Sequence, residues 1–280
     1  VGKLIFVLKT VVILGLCAAI FGPAGWFTYQ LFIKPYDVPV EEQHVMPTPP
    51  PDPSLPDFEK ALALKKAGKT VEARTALEAF LENYPYSTKI KEARQALGQL
   101  NSDIFFSSIP APEKIQYVVR PGDALAKIER KLKTSREMLM RCNNLDDPTR
   151  LQIGQVLLVN QPDFSVTINR KEKTLTLLNH YRFFKEYTIV GWNVPPPKKG
   201  MEKVALNGVV GEKIAWRNGA RVQFGSKEYT GSERWVEISV KGHTLYTEGG
   251  QKPTNGISFA PDDMEELSTL LVKNVPVTIQ

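Results

Sequence analysis

The chain has 280 residues, 42% of them apolar and 24% charged, which is too long for one small module and suits two or three. Lysine and arginine outnumber acidic residues by 36 to 30, a net charge of +6. Such an excess draws a protein toward anionic polymers or membrane surfaces. No dense basic run occurs, so nucleic-acid binding has no support beyond the charge itself. Two cysteines, Cys17 and Cys142, give no disulfide framework in the C-terminal part, and no CxxC or Cys/His metal cluster is present. His44, His180 and His243 are scattered, and no cofactor is expected.

From Thr10 to Ile33 no charged residue occurs. As a helix this run is about 36 Å long, more than the roughly 30 Å hydrocarbon core of a bilayer. Lys3 and Lys9 precede it, which predicts a cytoplasmic N-terminus. Trp26, Phe27, Tyr29 and Phe32 gather near the outer end as an aromatic belt. Gly22-Pro23 predicts a kink. The expectation is an uncleaved anchor over residues 1–35, spanning at 10–33. A cleaved signal peptide calls for a shorter apolar core. A lipoprotein would use Cys17, but Leu16 stands where a small residue belongs.

Residues 36–56 form a Pro-rich linker, densest in V-M-P-T-P-P-P-D-P-S-L-P from Val45 to Pro56, expected to be extended and stiff. Phe58 to Leu100 then shows helical periodicity, interrupted at Gly68. The spacing of Ala73, Leu77, Phe80 and Pro85 resembles one tetratricopeptide repeat, with a further helix from Ser87. One repeat cannot bury a solenoid core. Residues 57–106 therefore read either as a helical spacer that packs on itself or on the next domain, or as a docking groove, and residues 107–114, with Pro110 and Pro112, as a second linker.

Residues 115–162 read as strand, turn, helix, helix, loop, strand. Tyr117-Val118-Val119 is extended, and Pro121-Gly122-Asp123 supplies the turn. Asp123 is expected to cap a helix beginning at Ala124. Leu125, Ile128 and Leu132 recur at helical spacing. Thr134-Ser135 opens a second helix with Leu139 inward, and Asn143-Asn144 closes it. Gly154-Gln155 leads into a strand from Val156 to Val159. These motifs, Y-V-V-R-P-G-D-A-L-A-K-I, M-L-M-R-C-N-N-L and R-L-Q-I-G-Q-V-L-L-V, resemble a LysM domain, a bacterial peptidoglycan- and chitin-binding module, over about 45 residues. The resemblance implies that N-acetylglucosamine units lie between two loops. Gly122, Asp123, Ala124 and Leu125 form one wall, and Asn143, Leu151, Gln152, Ile153 and Gly154 the other. The family usually has Thr after the Asp, where this chain has Ala124, and the missing hydroxyl is expected to weaken binding by about 0.5–1.5 kcal/mol.

From Phe164 the pattern turns to alternating strands, closing on a helix from Pro261-Asp262-Asp263 through Met264 to Leu271 and a last strand at Val275 to Ile279. Residues 163–280 resemble the YkuD-type L,D-transpeptidase domain. That family presents its nucleophilic cysteine in a motif written S-H-G-C-I-R, just before a terminal helix and strand, with a histidine from an upstream H-G segment as base. The matching stretch here is Thr254-Asn255-Gly256-Ile257-Ser258-Phe259-Ala260-Pro261. The glycine fits; Asn255 replaces the histidine, and no cysteine exists beyond Cys142. No catalytic residue is therefore assigned. A Ser258/His243 pair is a weak substitute, and the plain alternative makes Ser258 a turn hydroxyl and His243 a surface strand residue. Pro195-Pro196-Pro197-Lys198-Lys199 fills a loop, and Trp192 and Trp216 suit either a cleft wall or the core. Asp262, Asp263, Glu265 and Glu266 favour the helix dipole rather than marking a metal site.

The expectation is thus a multidomain α+β protein: a transmembrane helix, a short α-hairpin, a βααβ LysM module and a mostly-β, degenerate L,D-transpeptidase-like domain. It would span a bacterial inner membrane once, with its bulk in the periplasm, and bind peptidoglycan through N-acetylglucosamine. Two alternatives are an active wall enzyme with a displaced site and an envelope docking scaffold.

Overall fold

The computed structural model describes residues 2–33, 52–196 and 204–280. The chain forms two compact units, Val1–Pro51 and Asp52–Gln280. The Pro-rich spacer up to Pro51 and the Pro197–Lys199 segment lie outside the described residues.

In the first unit, helix α1 (Gly2–Thr28) continues as a π-helical turn (Tyr29–Ile33). Apolar side chains surround it on every face, and the span Gly2–Phe32 is long and apolar enough to cross a membrane, with a mean hydropathy of 2.7. It begins well before the uncharged run at Thr10. Pro23 sits inside the helix and cannot donate to the carbonyl four residues earlier. The hydroxyls of Thr10 and Thr28 turn back onto the carbonyls of Phe6 and Ala24, both at 2.8 Å.

The second unit opens with α2 (Leu55–Lys66), α3 (Thr70–Asn83) and α4 (Ile90–Phe105). Helix α2 takes in Leu55 and Pro56, which the sequence places in the linker; a proline in the first turn costs no hydrogen bond. Asp52 fastens this start, accepting from the Ser54 N–H at 2.9 Å and the Thr88 hydroxyl at 2.9 Å. Gly68, at φ +74°, makes the α2–α3 turn. The periodic residues Phe58, Ala73, Leu77, Phe80 and Leu97 form one core.

Helix α4 belongs to two cores. Its last turn buries Phe105 against Phe164 and Phe184, with ring centroids 5.7 and 5.6 Å away. The Asn101 amide donates to the Phe184 carbonyl at 2.8 Å. Residues 107–114, expected to be a linker, are tied down: the Lys114 ammonium donates to the carbonyls of Ile104 and Ser107, and the Cys142 thiol donates to that of Ser107 at 3.3 Å. The helical segment thus packs on itself and on the sheet domain.

Next come β1 (Lys114–Val118), α5 (Leu125–Leu132), α6 (Arg136–Cys142) and β2 (Val156–Asn160). The two strands pair antiparallel, Val118 facing Val156. Tyr117, Leu125, Ile128, Leu139, Leu157 and Val159 make a separate small core. Met138 on α6 points the other way, into the core of the large sheet.

That sheet has ten strands among the described residues: β3 (Phe164–Asn169), β4 (Thr174–Asn179), β5 (Arg182–Thr188), β6 (Gly191–Asn193), β7 (Leu206–Arg217), β8 (Ala220–Val222), β9 (Glu233–Ile238), β10 (Thr244–Thr247), β11 (Gly256–Phe259) and, after helix α7 (Pro261–Leu270), β12 (Pro276–Ile279). The order is β5-β4-β3-β12-β7-β9-β10-β11-β6, with β8 on β7. Strand β7 is the longest of them, and its register to β9 shifts between Val210 and Lys213. Strands β6 and β11 carry no period-2 signal and come only from the structure. The whole is mixed α+β.

Glu266 on α7 shows why the pieces hold together. It takes both Lys185 contacts at 2.9 and 3.0 Å, the Tyr187 hydroxyl at 2.7 Å and the Ser102 hydroxyl at 2.6 Å. One carboxylate thereby joins α4, β5 and α7. Burial and the adjacent Glu266 charge hold the Tyr187 phenol well above its ordinary range. Asp262 and Asp263 do lie in the first turn of α7, where they favour the helix dipole.

Candidate functional site

The loops after β1 and before β2 lie side by side because Val119 joins them. Its N–H donates to the Gln155 carbonyl and its own carbonyl accepts from the Gly154 N–H, both at 2.9 Å. Gly122 and Gly154 take φ of +80° and +85°, values that glycine adopts without strain. Between these turns the N–H groups of Gly122, Ala124, Leu125 and Ile153 find no acceptor among the described residues. Ile153 stands 71% exposed, beside the exposed pair Val118 and Val156. Free backbone donors next to an apolar ledge suit a ligand that alternates amide carbonyls with flat apolar faces.

The expected wall residues divide into three groups. Gly122, Ala124, Ile153 and Gly154 meet at the loop pair, and Leu151 and Gln152 follow the same loop, the Gln152 N–H being held by the Gln155 side chain at 3.1 Å. Leu125 is only 2% exposed and belongs to the small core. Asn143 is a staple. Its amide donates to the carbonyls of Leu139 and Leu158 and accepts from the Leu158 N–H, each at 2.8 Å. The left-handed residue after α6 is Asn144, at φ +51°.

Asp123 does not cap α5. The N-cap is Ala124, which offers no side-chain bond. The Asp123 carboxylate reaches backward instead, accepting from the Arg120 N–H at 2.8 Å and the Tyr117 hydroxyl at 2.7 Å. It closes the turn over Pro121-Gly122. Those two bonds, the backbone one first, hold its pKa below the usual carboxylate range. By contrast α6 is capped as expected, Ser135 Oγ accepting from the Met138 N–H at 3.1 Å.

The stretch matching the transpeptidase motif is closed. Strand β11 lies between β10, parallel to it, and β6, antiparallel, so that Ser258 has Tyr246 on one side and Gly191 on the other. A Cβ on Gly191 would stand 2.5 Å from Ser258 Oγ, and one on Gly256 would stand 2.4 Å from the Thr244 carbonyl oxygen. Ser258 is 0% exposed, and its hydroxyl has no partner among the described residues. It is a buried strand residue, not a turn hydroxyl. His243 is buried too, not on the surface: Nδ1 lies 3.0 Å from the Lys241 carbonyl, and its ring meets Trp192 edge-on at 6.2 Å. Burial lowers its pKa. The Ser258 hydroxyl and the His243 ring share no hydrogen bond among the described residues. Ile257, next to Gly256 in the matching stretch, is a core residue. Trp192 packs partly against that core, and Trp216 tilts against Trp235 at 5.0 Å.

Three clefts among the described residues have volumes of about 610, 570 and 320 Å³, and Ser258, Ile257, His243, Trp192 and Trp216 line none of them. Sequence reasoning missed Arg234, which borders two. A signal was available: E-R-W-V-E-I puts an arginine in phase with the inward Val236 and Ile238.

Residues 117–160 match the LysM domain family. A stretch of 60 residues is 37% identical to N-acetylmuramoyl-L-alanine amidase XlyA of Bacillus subtilis (strain 168), covering 21% of this chain and 20% of that one. The chain therefore spans about a fifth of that relative's length. Among solved structures, similarity extends to an L,D-transpeptidase of Enterococcus faecium (16% identity, 42% of this chain and 50% of that one, TM-score 0.29). A second is from Stackebrandtia nassauensis (14% identity, 42% and 55%, TM-score 0.29). L,D-transpeptidase 1 of Mycobacterium tuberculosis is a third (8% identity, 45% and 66%, TM-score 0.28). The match over residues 117–160, on a βααβ unit with its own core, identifies that segment of the chain as a LysM domain.

Proposed function

We propose that this protein binds the glycan strands of peptidoglycan through its LysM domain, without wall chemistry of its own. The observation that carries the reading is the LysM match at residues 117–160, on loops with backbone donors that lack an acceptor among the described residues and an exposed Ile153. The free N–H groups of Gly122, Ala124, Leu125 and Ile153 would take acetamido carbonyls of N-acetylglucosamine, and Ile153 would pack on a sugar face. Gly154 and Gly122 shape the walls, with Leu151 and Gln152 completing the second. In this reading α1 anchors the protein in the inner membrane and residues 52–280 lie in the periplasm. The length and uniform apolarity of α1 support that placement.

The C-terminal domain would keep a transpeptidase-like frame for binding. The absence of any cysteine after Cys142 supports this, as does the sealed position of Ser258. Co-sedimentation of the detergent-solubilised full chain with purified sacculi tests the binding. Retention that chitin oligomers compete away is the expected result, and no retention overturns the reading. A parallel assay of transpeptidase and carboxypeptidase turnover should stay at background. Turnover that disappears in Ser258→Ala would overturn the noncatalytic part.

A further inference from the structure

The cleft of about 610 Å³ lies between the helical segment and the sheet domain. One of its walls is the end of strand β5, which stands first in the sheet order and pairs with β4 alone. Helix α4 covers the beginning of that edge. The Asn101 amide donates to the Phe184 carbonyl at 2.8 Å, and a Cβ on Gly98 would stand 3.0 Å from the Lys185 side chain. Beyond Lys185 the edge runs on into the cleft, whose lining includes Glu186 and Thr188.

The ladder fixes which way the backbone faces there. The Ile189 N–H donates to the Lys173 carbonyl at 2.9 Å, in step with the β4–β5 pairs Tyr187–Leu175 and Lys185–Leu177. Successive residues of an antiparallel strand bond to opposite sides. Glu186 and Thr188 therefore turn their N–H and C=O groups away from β4, and these groups find no partner among the described residues. A strand edge with free donors and acceptors is a template for a further strand.

The facing wall selects the strand. On α2, Phe58, the exposed Leu62 and Lys65 recur at helical spacing along the cleft, and Lys91 adds to them from α4. Lys65 and Lys91 have no ionic partner among the described residues. The other charges are engaged: Arg94 by Glu186 at 3.9 Å, Lys185 by Glu266 at 2.9 Å and Glu92 by Lys89 at 2.7 Å. Asp263, on the sheet side, is unpaired too, but burial holds its carboxyl above the usual range. Free positive charge thus prevails beside an apolar strip and an open edge, which suits a ligand with carboxylates and an apolar side chain. We propose that this cleft docks an extended, acidic peptide segment of a partner protein, which adds as a strand to the free edge of β5. Glu186 and Thr188 hold its main chain, Phe58 and Leu62 take an apolar side chain, and Lys65 and Lys91 take carboxylates. The site is separate from the glycan loops and does not rest on them.

Fluorescence anisotropy with the detergent-solubilised full chain tests this. The probe is a labelled Glu-Val-Glu-Val-Glu peptide. Its controls are Lys-Val-Lys-Val-Lys, with the charge reversed, and Glu-Pro-Glu-Pro-Glu, which keeps the charge and loses backbone donors. The acidic probe should bind, and both controls should bind more weakly by about tenfold. Thr188→Pro should cost about as much, because it removes an N–H that faces away from β4 and leaves the ladder intact. Lys65→Glu and Lys91→Glu should each weaken binding by about fivefold, and added salt should weaken it further. If Thr188→Pro fails to fold, the proline probe and the two lysine variants decide. No binding of the acidic probe, equal binding of the basic one, or binding indifferent to both Thr188→Pro and the proline probe overturns the proposal. A dimer of the full chain that Thr188→Pro dissolves would also overturn it, by giving the edge to a second copy.

Discussion

The 120–124 and 151–154 loops and the β6–β11–β10 strands both lie where family resemblance marks a site, and they have opposite surfaces. The loops leave four backbone donors without an acceptor among the described residues, with Ile153 as a bare apolar ledge. The strands close on themselves, so tightly that Gly191 and Gly256 have no room for a methyl group. A binding groove needs unsatisfied groups at the surface. A buried hydroxyl with no hydrogen-bond partner among the described residues, such as that of Ser258, is poorly placed to act as a nucleophile.

The largest expected effect tests the closed region. Gly256→Ala should destabilise the unit by about 3 kcal/mol, because the new Cβ meets a backbone carbonyl that cannot step aside. Chemical denaturation measures this, and a neutral result would mean that β10 and β11 are looser than described. The open region should respond in affinity and not in stability. Ile153→Glu should weaken chitin-oligomer binding by about tenfold with an unchanged melting temperature, since an exposed side chain holds nothing in the fold. A parallel loss of stability would make Ile153 a packing residue.

A smaller effect is expected at Ala124, the uncapped N-cap of α5. Ala124→Thr supplies both a capping hydroxyl and the group usual in the family, and should gain about 1 kcal/mol of stability with tighter binding. If only stability rises, the hydroxyl caps and does not touch sugar. The smallest effect concerns pH. Asp123 has its pKa lowered by the Arg120 N–H and then the Tyr117 hydroxyl. Its share of turn stability is therefore complete above about pH 4, the unfolded value. It is lost as pH falls through the lower folded value. Amide shifts of Arg120 followed by NMR should titrate below the usual aspartate range. Titration at the unperturbed value would remove Asp123 from the turn.

How far the sequence showed these two regions depends on the range of the contacts. The LysM segment is legible because its determinants are local: Pro121-Gly122 for the turn, Ser135 for a cap, Gly154 before the second strand. Even there, an aspartate ahead of a helix has two local options, and only the folded structure shows Asp123 bonding backward to Arg120. Strand β11 was hidden because T-N-G-I-S-F-A-P is short, buried on both faces and without alternation. The union of helices and sheet was not legible either, since Ser102 meets Glu266 across 164 residues of chain, and nothing in α4 announces that Phe105 belongs to the sheet core.

The most direct test of the account is calorimetric titration of chitotetraose into the detergent-solubilised full chain, wild type beside Ile153→Glu. Saturable binding by the wild type, lost or strongly weakened in the variant while both melt at the same temperature, is the predicted result. No heat of binding with the wild type, or equal binding by both proteins, would contradict a glycan site on the 120–124 and 151–154 loops.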